Sequence, residues 1–290
     1  MFTSMSLSKN SDDWDINIIP EGAANINAKM CGIIRSMIRV QTLGPFRVWR
    51  DDVELPELAW QRDKARQLFQ LFLTERRRFL QKEQIIDALW PELTPDQGDR
   101  DFRVALNALH HALEPDRLPR ATPKYVRRRN EMYGLDPEAP LWVDADAFEQ
   151  AIALAERAET EDPAAAIAHY RAAVDLYTGD FLPDALYEDW ATAERERLQV
   201  LYLSATARLA ELLVTAGHYQ EPIRLCQAIL AKDPLWEEAY RLLMRCYYAR
   251  GNRPLALRTY EQCVTRLRDE LGVTPLPQTT ELYLQMTNIK

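Results

Sequence analysis

The sequence predicts a mainly α protein in two parts, a small α+β unit followed by an all-α array of paired helices. Three observations carry this. Apolar alternation around a polar turn opens the patterned part of the chain near Ile38. The period then changes to 3.6 residues for three successive helices and returns to strands near Tyr125. Beyond about Pro140 every periodic segment is helical, and a 34-residue spacing recurs.

The elements follow in order. Residues 1–36 show no helix or strand period. They read equally as a dispensable leader ahead of a start at Met37 or as a functional segment. Ile38, Val40 and Thr42 alternate with Arg39 and Gln41, and Val48, Val53 and Leu55 flank Asp51-Asp52, a hairpin signal. Ala65, Leu68, Phe69, Phe72 and Leu73 form one helical stripe. A shorter helix spans Gln84 to Trp90, a turn spans Thr94 to Gly98, and a third helix runs from about Asp99 to Leu113. Tyr125 to Leu135 reads as two strands around Arg129-Asn130-Glu131. Strands, three helices and a hairpin are the layout of a winged helix-turn-helix, assigned to residues 37–140. Asp136 to Pro140, with two prolines, marks the boundary to a second domain, residues 141–290.

In that second part Asp144 is placed as the N-cap of a helix through Glu159, and Pro163 opens another through Tyr177. A long amphipathic helix covers Tyr187 to Ala216. Gly217 and Gly251 are 34 residues apart, as are Leu209 with Leu243, Leu213 with Tyr247, Cys226 with Tyr260, and Ile229 with Cys263. That period is the tetratricopeptide signature of helix pairs that bury their faces only by stacking. Pro222 fits because a first helical turn tolerates proline. Leu271-Gly272 and Pro275 stop a helix, and Gln278 to Met286 forms a capping one. Trp190, Tyr202, Trp236, Tyr240, Tyr247, Tyr248 and Tyr260 are read mainly as packing between helices.

Composition bounds function. The 290 residues carry a net charge of −8, with the acidic excess almost wholly after Pro140; residues 37–140 sum to +1. No apolar run approaches the roughly 18 residues of a membrane span, so no membrane association is expected. Cys31, Cys226, Cys246 and Cys263 show no C-x-x-C spacing, which fits a reduced cytoplasmic chain with buried thiols. There is no glycine-rich phosphate loop, and His110, His111, His169 and His218 belong to no metal or nucleophile pattern. No enzyme activity, metal or cofactor is expected.

Two groups of residues point to double-stranded DNA. On the third helix Phe102, Leu106, Leu109 and Leu113 face inward, and Arg100, Arg103, Val104, Asn107 and His111 share the opposite face. Guanidinium pairs bidentately with guanine, amide with adenine, and a small apolar group meets the thymine methyl. Between Arg117 and Asn130 lie six basic residues and no acidic one. Of these Lys124, Arg127, Arg128 and Arg129 would touch backbone phosphates from the wing, joined by Arg62 and Lys64 at the first helix. Arg76-Arg77-Arg78 suits a helix C-terminus.

Leu43-Gly44-Pro45-Phe46, IIDALW at Ile85–Trp90, ALNALHHAL at Ala105–Leu113, YTGDFLPDALYEDWATAERERL at Tyr177–Leu198 and DELGVTP at Asp269–Pro275 carry a resemblance. The first half resembles the OmpR-type winged helix and the second the bacterial transcriptional activator domain. Together they resemble the Streptomyces antibiotic regulatory protein family, from Met37 to the end of the chain. The resemblance implies a sequence-specific transcriptional activator that binds direct repeats near promoters and recruits RNA polymerase, with the repeats serving self-association or polymerase contact. Where the family often carries arginines on the third helix, this chain has Ala108, His110 and His111, so Arg100, Arg103 and Asn107 would do more. Some relatives append an ATPase module after the repeats; none follows before Lys290, so nucleotide-driven switching in cis is not expected. The alternative is a protein-interaction adaptor whose winged helix does not read DNA.

Overall fold

The computed structural model describes residues 37–287. Cys31 and the 1–36 leader lie outside them.

Three short strands lead: β1 (Ile38–Gln41), β2 (Arg47–Arg50) and β3 (Val53–Glu54). Asp51 and Asp52 both adopt positive φ, 50° and 66°, the turn that lets a two-residue hairpin follow strand twist. The helices are α1 (Asp63–Thr74), α2 (Lys82–Leu89) and α3 (Pro95–Leu113), with β4 (Leu80–Gln81) just before α2. The hairpin β5 (Val126–Arg129) and β6 (Met132–Leu135) pairs antiparallel, and β6 also pairs with β4. This is the expected winged helix-turn-helix. Its core is filled by the stripe of α1 and by Phe46, Trp60 and Phe69, whose rings lie 5.8–6.3 Å apart.

One boundary moves. The expected turn at Thr94–Gly98 is the first turn of α3, where the Thr94 N–H donates to Gln97 Oε1 at 3.2 Å. Gly98 is there for packing rather than for bending. A Cβ at that position would lie 2.4 Å from Ile86 Cγ2, so the missing side chain lets α3 close on α2.

The second part starts with a strand that local pattern did not mark. β7 (Leu141–Val143) pairs parallel to β1, Ile38 with Leu141 and Val40 with Val143, giving a sheet in the order β3-β2-β1-β7. Then come α4 (Asp144–Ala158), α5 (Pro163–Leu176), α6 (Asp189–Thr215), α7 (Gln220–Lys232), α8 (Glu237–Ala249), α9 (Arg253–Leu271) and α10 (Pro277–Thr287). Consecutive helices pack as antiparallel pairs, the tetratricopeptide-like array. Gly217 and Gly251 stand at φ 82° and 75° just past α6 and α8, so the repeat seen in sequence is a repeat of helix stops. Tyr202 stacks on Tyr177 at 4.2 Å and Tyr260 on Tyr283 at 4.1 Å, as packing residues. Cys226, Cys246 and Cys263 are free and buried; burial pushes Cys246 up to about 11 and Cys263 to about 12. By length and composition α6 could cross a membrane, although the sequence shows no unbroken apolar run of that size. In the fold 56% of its most apolar stretch is buried, and the helix packs against α5, α7 and α8.

Asp144 corrects its sequence assignment. Val143 occupies the N-cap, and Asp144 opens α4 as a buried clamp. Its carboxylate accepts from the Thr42 N–H (2.8 Å), the Thr42 hydroxyl (2.6 Å), the Leu43 N–H (2.8 Å) and the Ala145 N–H (2.8 Å). Beyond β1 the chain stays bound to the second part: the Leu182 N–H donates to Thr42 O at 2.9 Å and the Gly44 N–H to Asp180 O at 3.1 Å. From Met37 onward the chain packs as one compact unit.

Arg76 also differs from its expected part. It does more than complement the end of α1. Its side chain is 4% exposed and reaches Asp146 (2.5 Å), Glu149 (2.6 Å) and Glu194 (2.7 Å) on α4 and α6. Arg77 and Arg197 complete this network on Glu149, and Arg197 also holds Glu194 at 2.7 Å.

Two outcomes follow for stability. Arg76→Ala removes the bonds it donates to Asp146, Glu149 and Glu194, of which Glu149 and Glu194 keep Arg197, and should cost about 1–3 kcal/mol in urea unfolding; Arg76→Lys, which cannot fork to three acceptors, should recover little of it. Gly98→Ala should destabilise by about 1–3 kcal/mol through overpacking against Ile86, outweighing the roughly 1 kcal/mol that alanine gains in helix propensity.

Candidate nucleic-acid interface

The site is built on α3. Gly98, Phe102, Ala105, Ala108, Leu109, Ala112 and Leu113 are buried, with Leu106 only partly so. At 100° per residue Arg100, Arg103, Val104, Asn107 and His111 fall within an arc of about 100°, and all five are exposed. The structure therefore brings the five expected base-reading residues onto one outward face. Phe102 holds that helix to the wing by an edge-on contact with Tyr133, centroids 4.9 Å apart.

The face is more acidic than its basic members suggested. Arg103 pairs with Asp99 one turn earlier, and Arg100 pairs with Asp101 at 3.2 Å. Asp99 also holds Lys82 Nζ at 2.8 Å. Hydrogen bonding from Lys82 and the charge of Arg103 keep the Asp99 carboxyl below its ordinary value. The Asp99–Arg103 spacing, i to i+4, is legible in sequence and marks the pair.

The expected phosphate contacts separate into two groups. Arg62, Lys124, Arg128 and Arg129 are exposed. Arg128 lies beside Tyr133, donates to Asn130 O at 2.5 Å and pairs with Glu131. Arg129 sits over the Phe79 ring at 4.4 Å. Lys64 is placed otherwise: its Nζ donates to Leu89 O at 2.6 Å and lies near the Trp90 ring, closing the end of α2. Arg127 is likewise turned back, with Nε 2.7 Å from Asp136, a carboxylate only 4% exposed. Both act as struts, because a buried acceptor without a cation or donor is costly.

Ala108 and His110 lie off the reading face, Ala108 buried and His110 largely so. Burial, with the Arg117 charge nearby, pushes His110 down to about 4, and its Nδ1 has no hydrogen-bond partner. Among the described residues no group of three or more His, Cys, Asp or Glu is placed to hold a metal.

The family model for the bacterial transcriptional activator domain matches residues 143–286. The chain is 30% identical over 249 residues to regulatory protein AfsR of Streptomyces coelicolor, covering 84% of this chain and 24% of that protein. It is 25% identical over 250 residues to regulatory protein DnrI of Streptomyces peucetius, covering 82% and 88%. Thus it spans about a quarter of the length of AfsR and most of DnrI. The structure of Mycobacterium tuberculosis EmbR in complex with a low affinity phosphopeptide matches with a TM-score of 0.74 at 22% identity, over 87% of this chain and 65% of that one, a likeness of fold. A winged helix continued into tetratricopeptide-like repeats defines the class of protein. Within that class, the match over residues 143–286 and the similarity to AfsR and DnrI support a member of the Streptomyces antibiotic regulatory protein family.

A pH dependence follows from His110. Its folded value lies below the ordinary 6.5, so between pH 6.5 and about 4 the unfolded chain binds a proton that the folded chain refuses. Stability should fall across that window by up to about 3 kcal/mol. His110→Gln should flatten the profile, as read by urea unfolding at pH 7, 5.5 and 4.5.

Proposed function

We propose that this protein is a sequence-specific DNA-binding transcriptional activator. The observation that carries the reading is the single outward face of Arg100, Arg103, Val104, Asn107 and His111 on a helix whose other side is buried. That helix would lie in the major groove, with Arg103 and Asn107 on base edges. Arg62, Lys124, Arg128 and Arg129 would hold phosphates, and Lys64 and Arg127 would brace the elements that present them. Its relatives, among them transcriptional regulator RedD of Streptomyces coelicolor, support a role in transcription. Labour would divide near Asp136–Pro140, with residues 37–140 reading DNA and residues 141–290 meeting RNA polymerase or a second copy.

The pairing of Arg100 and Arg103 with neighbouring carboxylates favours a second reading, an adaptor that uses the repeats and does not read bases. Selection of bound duplexes from a random pool, followed by salt titration, separates the two. Enrichment of a motif supports the activator; none at any salt supports the adaptor. Arg103→Ala should cost about 1–3 kcal/mol and relax preference at one position, whereas Arg128→Ala should weaken all duplexes alike and lower the salt slope by about 1. Equal losses for Arg103→Ala on selected and random duplex would remove it from the base-reading set.

A further inference from the structure

We infer that Asp99 is a positioning residue for DNA reading, holding the Arg103 guanidinium on the recognition face and coupling it through Lys82 to the wing. The inference rests on the DNA-binding reading above. An arginine alone on a helix surface samples many rotamers, and fixing it on binding costs side-chain entropy. Arg103 is not alone: its side chain is 74% exposed, yet its guanidinium is anchored on Asp99, which is 23% exposed. The second Asp99 oxygen faces Lys82 Nζ at 2.8 Å. Lys82 opens α2, and its backbone N–H donates to Glu131 O at 3.2 Å in the wing turn. Glu131 in turn takes Arg128.

Arg103, Asp99 and Lys82 thus alternate in charge, and the backbone bond from Lys82 to Glu131, whose carboxylate takes Arg128, ties the third helix through α2 to the wing. The charge balance fits a surface that must approach phosphate. Asp99 between Arg103 and Lys82 leaves that cluster at +1, so its carboxylate orients a guanidinium without making the patch repel DNA.

The experiment is duplex selection and salt titration on the full chain with Asp99→Asn, Asp99→Glu, Arg103→Ala and the Asp99→Asn/Arg103→Ala double variant. Asp99→Asn is expected to lower discrimination about tenfold at the base pairs that Arg103 reads, within the worth of one bidentate contact. Binding to random duplex should stay level or tighten, because a negative charge is gone. The loss should vanish in the Arg103→Ala background. Asp99→Glu keeps an i to i+4 pair with Arg103 and should retain discrimination. An Asp99→Asn effect that is the same on all duplexes, or that adds fully to Arg103→Ala, overturns the inference and leaves the DNA-binding reading standing. Wild-type protein without base preference at any salt overturns both. If Asp99→Asn does not fold, Lys82→Gln cuts the relay one link away; the same relaxed discrimination supports the inference, and unchanged discrimination overturns it.

Discussion

The described fold depends on a carboxylate almost wholly shielded from water. Asp144 accepts from two backbone N–H groups and a hydroxyl at the end of β1, and from the N–H that follows it in α4. Removing any of these donors would leave a buried acceptor short, at about 1–3 kcal/mol each. The bonds also set geometry. They fix where β1 stops, where α4 starts, and which loop lies against Leu43, because a carboxylate offers its oxygens in one plane. The winged helix and the repeats are therefore joined by backbone hydrogen bonds as well as by apolar contact.

Guanidinium groups do most of the remaining joining. Arg76 collects three carboxylates from two helices. Arg195 donates to the carbonyls of Phe181, Leu182 and Ala185, holding the 181–186 loop although Leu182 stands at a positive φ of 46°. A planar fork with five N–H donors can satisfy several acceptors at once, which an ammonium on a flexible stem does less well. The same chemistry recurs on the outward face of α3 and on the wing, where Arg103 and Arg128 each meet a carboxylate.

Much of this was legible in the amino-acid sequence, and the remainder has physical reasons. The outward face of α3 follows from the 3.6-residue period, because its buried positions are apolar and its exposed ones, Val104 apart, are polar. The start of α3 was misplaced because Thr94-Pro95-Asp96-Gln97-Gly98 has the composition of a turn, and only packing against Ile86 shows why glycine is in a helix. Arg76 was read as a helix-end cation because its partners lie 70 to 118 residues away, beyond any local pattern. β7 was missed because three residues cannot show alternation. Charge and position along the chain point Lys64 and Arg127 to phosphate, but neither says whether a side chain meets solvent or turns back to a carbonyl or carboxylate of its own fold. The Asp99–Arg103 pair is legible in the sequence as an i to i+4 spacing of opposite charges.

The seam between strand β7 and strand β1 bears on how the molecule can be divided. β7 supplies the outer neighbour of β1, so a piece ending at Pro140 would bare the edge of β1, whose unmet amides and carbonyls invite another chain to add alongside. Clumping of such a piece would report an uncapped sheet margin rather than any fault in the helices that follow it.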